Sequence, residues 1–571
     1  MTPSAPPSRS PTVPAADDLL DALDDQQRVA AETLLGPVCL LAGAGTGKTR
    51  AITHRIAYGV ATGVYSPARV MALTFTTRAA GELRMRLRLL GAADVAARTF
   101  HSAALSQLNF FWPQVVGGTM PRLLESKGRL LAHAAETLKL KLDTATLRDT
   151  AAEIEWRKVS RLSIEQYSTA VRSRTLPPTL TVEKAVDLQR AYEAVKDERR
   201  QLDFEDVLLA TAGMIESEPR VAHQVREQYR FFVVDEYQDV SPLQHELLGL
   251  WLGDRDDVCV VGDASQTIYS FAGATPRYLL GFPAAHGDAV VVRLEQNYRS
   301  TPAIIDAANR LMRGRPGALS LHAVPGSRPG PVPATSSHAN DSQEARAIAQ
   351  SIAGEIAAGT PPQDIAVLFR INVQSAALEA ALGDAGVAYT QRGSTRFFDL
   401  REVKEAIMML KGASISIVGE PLFKTVSDVL RSLGWTQEAP EARGAVRDRW
   451  ESLNALMGLA EEAAVSTTLR QFVSDLVERQ AGQHEPTRSA VTLATLHSAK
   501  GLEWDCVYIA GVSEGLLPIS YAKGLEAIDE ERRLFYVGVT RARRRLELSW
   551  ASTGSHRGQS RQASRFLAEL H

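Results

Sequence analysis

Gly36-Pro37-Val38-Cys39-Leu40-Leu41-Ala42-Gly43-Ala44-Gly45-Thr46-Gly47-Lys48-Thr49 is the stretch on which the fold turns. Its first half is a short apolar run, the pattern of a strand buried on both faces. Its second half is a glycine-rich turn ending in Lys-Thr, with a helix predicted to open at Lys48. Strand, turn and helix in that order describe a phosphate-binding loop, with Ala42 at its first position. The residues Ala42, Gly43, Ala44, Gly45, Thr46 and Gly47 bring backbone N–H groups around phosphate oxygens, and the helix N-terminus adds a positive dipole. Lys48 then reaches the β- and γ-phosphates, and the Thr49 hydroxyl holds Mg²⁺. A glycine turn that binds nothing is the competing reading; the flanking strand and helix argue against it.

Moving outward, RVMALTFT (69–76) reads as a second buried strand, and RAAGELRMRLRLL after it has helical spacing. The first ordered element is expected to be a helix starting near Leu19. The strand pattern returns at FFVVDEYQ (231–238), DVCVVGD (257–263) and AVVVRLEQN (289–297), whereas residues 111–199 are charged, helical in pattern and without apolar strand runs. Apolar strands alternating with helices predict a parallel sheet covered on both faces, here with a helical insertion. A second set of strands is expected at 364–370, 490–498, 506–511 and 545–551, interrupted by a helical segment over 395–488. The Pro/Gly/Ser-rich stretch 322–341 reads as a linker.

Phe231–Val234 delivers two carboxylates to the phosphate site: Asp235 for Mg²⁺ and Glu236 to polarise an attacking water. Gln266, after the next apolar strand, is placed to sense a γ-phosphate or position water. A solvated acidic turn and a plain polar loop are the respective alternatives.

The chain has 571 residues, about four domain-sized units. It carries 64 Lys+Arg against 66 Asp+Glu, a formal net charge of -2. That excludes a uniformly basic nucleic-acid coat and a polyacidic disordered chain, and leaves room for a local basic track. Cys39, Cys259 and Cys506 all sit in apolar runs and read as buried strand thiols of a reducing cytoplasm, not as a zinc site. Residues 1–17 read as a disordered tail, not a secretion signal, and no stretch is long and apolar enough to span a membrane.

The ordered set GAGTGKT, TFTTRAA, TFHS, DEYQD, VGDASQTIYSFAGA, NYRST, TLHSAKGLEW and EERRLFYVGVTRAR resembles the superfamily 1 DNA helicases of the UvrD/PcrA/Rep type, from about residue 19 to 571. LLAGAGTGKTRAITHRIAYG and VVDEYQDVSPLQ look most like an actinobacterial UvrD paralogue lacking its C-terminal extension. The resemblance implies an α/β fold of two RecA-like P-loop NTPase lobes, each with a mainly helical inserted subdomain. The first lobe covers 18–110 and 200–298, with its insertion at 111–199. The second covers 299–394 and 489–571, with a shortened insertion at 395–488.

The resemblance also implies roles. Gln27 reads adenine, Arg50 and Tyr298 sandwich it, and Glu503 contacts the ribose. Arg299 and Arg541 act as arginine fingers on the γ-phosphate. Single-stranded DNA is contacted by Thr74, Phe75, Thr76, Arg78, Thr99, Phe100, His101, Ser102, Tyr269, Phe271, His497 and Ser498. Core packing is the alternative for Phe75 and Phe271, and a satisfied core histidine for His101. The implied function is an ATP- and Mg²⁺-dependent 3′→5′ helicase and translocase of DNA repair or replication. Its substrates are single strands and single/double-strand junctions, with DNA repair proteins as possible partners. It is cytoplasmic, nucleoid-associated, without a membrane contact, and a monomer or weak dimer.

Three departures bear on that picture. Phe271 is followed by Ala272 where an arginine is usual. In the shortened second insertion, LRSLGW (430–435) only weakly resembles a duplex-binding turn. The tetracysteine segment and further helical module of the actinobacterial paralogues are not in this sequence. Two rivals therefore stay open: a translocase that displaces proteins with little unwinding, and an ATP-gated DNA-binding subunit of a repair or defence complex.

Overall fold

The structure, a computed structural model, describes residues 15–570 apart from 143, 175, 177–179, 372–373, 393–400, 417–418, 439–444, 462, 465, 483–488, 521 and 554–559. Most of the expected tail, residues 1–14, lies outside the described residues, as do 395–400 and 483–488, the two ends of the expected second insertion. The chain divides into two compact units, residues 1–295 with 315–319, and residues 296–314 with 320–571.

The first unit is built on a six-stranded sheet. Its strands are β1 (Val38–Ala42), β2 (Val70–Thr74), β3 (Ala96–Thr99), β4 (Phe231–Val234), β5 (Val258–Gly262) and β6 (Val290–Leu294). They lie in the order β3-β2-β4-β5-β1-β6, and every pairing is parallel. Alternate residues feed two separate cores. Cys39, Met71, Leu73, Phe232, Val234 and Val260 join one; Val38, Leu40, Val70, Ala72, Phe231, Val233 and Val261 join the other. Side chains of a strand point to opposite faces, so continuous apolar runs are what a sheet covered on both sides requires.

Residue 19 lies in a single 3-10 turn, Asp17–Leu19. The first α-helix is Asp25–Glu32, whose start is fixed by a capping box between Asp24 and Gln27. Strand β3 (AART) was not expected; it is short and half polar, and only its pairing with β2 makes it a strand.

Between β3 and β4 the chain is helical. Lys127–Thr137, Thr144–Val159 and Val182–Glu198 pack around Leu130, Leu131, Ile154, Leu188 and Tyr192. Arg122–Leu123 and Gln201–Leu202 pair in parallel at the two ends of this segment. A buried charge cluster stands beside that pair. Lys158 Nζ donates to Asp203 Oδ2 and to Asp206 Oδ1, both at 2.7 Å, and Lys196 Nζ reaches Asp206 Oδ2 at 2.5 Å. The Tyr192 hydroxyl donates to Asp203 at 3.0 Å. Burial opposes ionisation of Lys158, but Asp203, Asp206 and Glu193 outweigh it and raise its pKa. Burial likewise works against Asp203, and Lys158 and Lys196 hold that carboxyl below its ordinary range.

The second unit has its own six-stranded sheet: β7 (Ala334–His338), β8 (Ile365–Phe369), β9 (Tyr389–Arg392), β10 (Val491–Thr495), β11 (Trp504–Ile509) and β12 (Ala542–Ala551). The order is β7-β12-β11-β8-β10-β9, again all parallel. Strand β7 corrects the linker reading of 322–341: ATSSH pairs along β12 as an exposed edge strand, which needs no apolar residues because little of it is covered. Between β9 and β10, helices Arg401–Ser416, Leu422–Ser432, Ala445–Glu461 and Leu469–Gly482 enclose a core of Val403, Leu410, Leu430, Trp435, Leu456 and Leu476.

Candidate nucleotide and DNA sites

In the first unit the loop after β1 and the ends of β4 and β5 rise from adjacent strands, the position where open parallel sheets hold ligands. Helix Lys48–Ala61 starts directly from Gly47. Gly47 has φ +77, and a Cβ there would lie 2.7 Å from Gln27 Nε2. Both the backbone and the neighbour therefore demand glycine. Gln27 is buried under the loop: its Nε2 donates to Thr46 O at 2.9 Å, and its Oε1 accepts from Asp24 N at 3.3 Å. Lys48 Nζ donates to Ala42 O at 3.2 Å. Arg50 is exposed on the first turn of the helix, and Thr49 is partly buried beside it.

Asp235 follows β4 and is held by its backbone, Asp235 N donating to Leu73 O at 2.8 Å. Its carboxylate accepts from Glu236 N at 2.9 Å. Desolvation and the neighbouring Glu236 push the Asp235 carboxyl up to about 7, with Lys48 pulling the other way. Two crowded carboxyls facing a lysine are a donor set that a hard divalent cation would relieve, and Thr49 adds a hydroxyl oxygen of the same class. Among the described residues no group of three or more His, Cys, Asp or Glu is arranged to hold a metal by itself. Glu236 has φ +53, a left-handed conformation unusual for glutamate. Gln266 is buried, and its Nε2 donates to Asp263 Oδ2 at 2.8 Å.

Three aromatic rings continue from this region. Tyr269 stacks on Phe75 with centroids 5.6 Å apart and planes 12° from parallel, and meets Phe271 edge-on at 6.0 Å. Phe75 is 40% exposed and Phe271 59%, so neither is a core residue. Arg78 is partly buried on the helix that Thr76 caps by accepting from Ala79 N.

Other expected DNA residues are differently placed. Phe100 is 3% exposed and stacked at 5.9 Å on the buried Trp251, and Thr74 is buried at the end of β2. These two support the surface from within and do not reach it. The hydroxyls of Thr99 and Ser102 form a reciprocal capping box at the start of helix Phe100–Val115. His101 is partly buried, its Nε2 has no hydrogen-bond partner, and burial with nearby Lys127 lowers its pKa to about 4. Phe204 lies edge-on to His101 at 5.9 Å and is 51% exposed. Sequence reasoning missed it, although an aromatic between the acidic residues of LDFED was a visible signal.

The second unit gathers Arg299, Glu503, Thr540 and Arg541. Arg299 pairs with Glu503 and donates from Nη1 to Thr540 O at 3.1 Å. Arg541 is buried; Nε donates to Val537 O at 2.9 Å and Nη1 to Leu502 O at 3.1 Å. Tyr298 is 45% exposed next to Arg299. His497 and the exposed Ser498 follow β10; burial, Arg370 and Lys500 lower the His497 pKa to about 4.

Two parallel sheets flanked by helices, the first with a phosphate loop and acidic strand end, define a P-loop NTPase of two lobes. Residues 23–286 match the UvrD/REP helicase N-terminal domain, and residues 292–414 and 420–553 match the UvrD-like helicase C-terminal domain. The chain belongs to the UvrD/REP helicase family. It is 48% identical to the ATP-dependent DNA helicase UvrD2 of Mycobacterium tuberculosis, over 97% of this chain and 82% of that protein. It is 30% identical to DNA helicase II of Escherichia coli, over 97% of this chain and 88% of the relative. It is 29% identical to mycobacterial UvrD1, over its whole length and 87% of the relative. Among the described residues no helix is long and apolar enough to cross a membrane.

Proposed function

We propose that this protein is an ATP-dependent DNA helicase and single-strand translocase moving 3′→5′ in DNA repair or replication. One observation carries the reading: the sheet that bears a phosphate loop and its two carboxylates also leads into a row of aromatics, Tyr269 stacked on the exposed Phe75 and edge-on to the exposed Phe271. Lys48 and the loop amides hold the triphosphate. Thr49 and Asp235 would hold Mg²⁺, which neutralises charge on the phosphates. Glu236 accepts the proton of the attacking water, and Gln266 reads the γ-phosphate. Arg299 and Arg541 supply cations for the charge that develops there. Phe75, Tyr269, Phe271 and Phe204 stack on bases, which is indifferent to sequence. Nucleotide-dependent alternation between two states then moves the strand.

The exposed turn at Arg431–Gly434, with Gly434 at φ +93 and Trp435 anchored through Nε1 to Asn454 Oδ1 at 3.1 Å, is the candidate duplex contact. The working form is a monomer or weak dimer acting at single/double-strand junctions in the cytoplasm. Unwinding of a 3′-tailed duplex against a 5′-tailed one tests activity and polarity together. The expected result is unwinding of the 3′-tailed substrate alone, abolished with DNA-stimulated ATPase by Lys48→Ala. Wild-type turnover in that variant overturns the reading.

A further inference from the structure

Gln238 is wholly buried at the turn that follows Glu236. Its side-chain Oε1 accepts from Asp263 N at 3.0 Å. Its Nε2 donates to Glu236 Oε2 and, at 3.3 Å, to Asp239 Oδ2. The orientation of the amide is forced by its partners. A carboxylate only accepts and a backbone N–H only donates, so a flipped amide would lose all three contacts. The Gln238 backbone is tied to the same strand end, its carbonyl accepting from Thr267 Oγ1 at 3.4 Å.

A second observation lies on the facing strand. A Cβ on Gly262 would stand 2.4 Å from Gln238 Oε1 and 3.2 Å from Gln238 N. Glycine at 262 is what lets the amide reach the Asp263 backbone. Beyond it, the Asp263 carboxylate accepts from Ser265 N at 2.9 Å and from Gln266 Nε2 at 2.8 Å. A continuous hydrogen-bonded path therefore runs Glu236–Gln238–Asp263–Gln266, all within the first unit.

We propose that Gln238 is a positioning residue for ATP hydrolysis: its amide aims the Glu236 carboxylate and locks it to the Asp263–Gln266 turn. It touches no substrate and acts through its neighbours. The inference rests on the roles proposed above for Glu236 and Gln266. It explains how a glutamate in a left-handed conformation keeps one direction, since its carboxylate is held from the side. It also makes the geometry of the water-polarising group depend on the turn that leads to Tyr269.

Three substitutions test it. Gln238→Leu removes all three side-chain hydrogen bonds at similar size, and Gly262→Ala pushes on the amide from the other side. Gln238→Glu keeps the shape and replaces the amide donor with a carboxylate, which accepts but does not donate. DNA-stimulated ATPase is measured as kcat and KM, beside nucleotide binding and thermal unfolding. Gln238→Leu and Gly262→Ala are expected to lower kcat about 10- to 100-fold with KM for ATP changed less than about threefold. Gln238→Glu should match them, because the group at that place still accepts from Asp263 N but no longer donates to Glu236.

A kcat within twofold of wild type in Gln238→Leu overturns the proposal. So does a loss tracked entirely by unfolding in both Gln238→Leu and Gly262→Ala. Lys48→Ala separates the two levels. If it retains turnover, the ATPase reading itself has failed. If it is inactive while the Gln238 variants are normal, only the positioning role has failed.

Discussion

Arg299 and Glu503 are paired at 2.5 Å, and the other oxygen of the same carboxylate is held by Arg543 at 2.6 Å. Desolvation works against the Glu503 charge, but Arg299 and Arg543 outweigh it and hold the carboxyl below its ordinary range. Glu503 thus sets the direction of Arg299. Under the role proposed above for Arg299, as a cation on the transferring phosphoryl group, Arg299→Ala is expected to lower kcat of the DNA-stimulated ATPase by at least about 100-fold. Glu503→Gln should cost about 5- to 10-fold. The double variant should be no worse than Arg299→Ala, and a steady-state double-mutant cycle reads that coupling directly.

Stacking and phosphate attraction separate along the aromatic row. Phe75→Ala and Tyr269→Ala should each weaken binding of oligo-dT by about 1–3 kcal/mol. The slope of log affinity against log salt should stay the same, because neither ring releases a counterion. Fluorescence anisotropy across a salt series measures both quantities. Phe100→Leu, in the core against Trp251, should lower stability with little change in that slope.

Both histidines of the expected DNA track are held neutral, each with its pKa lowered to about 4. Single-strand affinity should therefore not rise between pH 8 and pH 6 through these groups, as it would if they became cations. For stability the sign follows from a folded pKa below the unfolded value of about 6.5. The contribution is complete above pH 6.5 and is lost as pH falls from there toward 4, at up to about 1.4 kcal/mol per pH unit for each group. Urea unfolding at pH 7, 6 and 5 tests this against His101→Gln and His497→Gln, which should flatten the dependence.

Lys158 sits among three carboxylates with its side chain 2% exposed. Lys158→Met leaves Asp203 and Asp206 buried with only part of their compensation. It should cost about 3–5 kcal/mol, the penalty of stranding a buried charge. Asp203→Asn added to Lys158→Met should recover part of that loss. Chemical denaturation of the three variants gives the comparison.

The strands that carry chemistry were legible in the sequence because burial on both faces writes an unbroken apolar run; β1, β4 and β5 are examples. Strands β3 and β7 were not, since AART and ATSSH are polar and become strands only through the neighbours they pair with. The sequence points Gln27 at a ligand, whereas its contacts with Thr46 and Asp24 exist only once the loop is folded over it. Phe100 and His101 share one motif in the sequence, but consecutive residues on a helix face different ways, and the Phe100 ring turns to Trp251. The Lys158 cluster was invisible because Lys158 lies 35 to 48 residues from its carboxylate partners Glu193, Asp203 and Asp206, and none of the members is unusual alone.

The short parallel pairing of Arg122–Leu123 with Gln201–Leu202 means that the helical segment leaves and re-enters through one doorway. What lies between is no detachable appendage: past the doorway Lys158 reaches Asp203 and Asp206, Lys127 pairs with Glu205, and Arg161 pairs with Glu246. The segment is thereby riveted to the first lobe at several places, so a disturbance in it is passed straight to the helices that clothe the sheet.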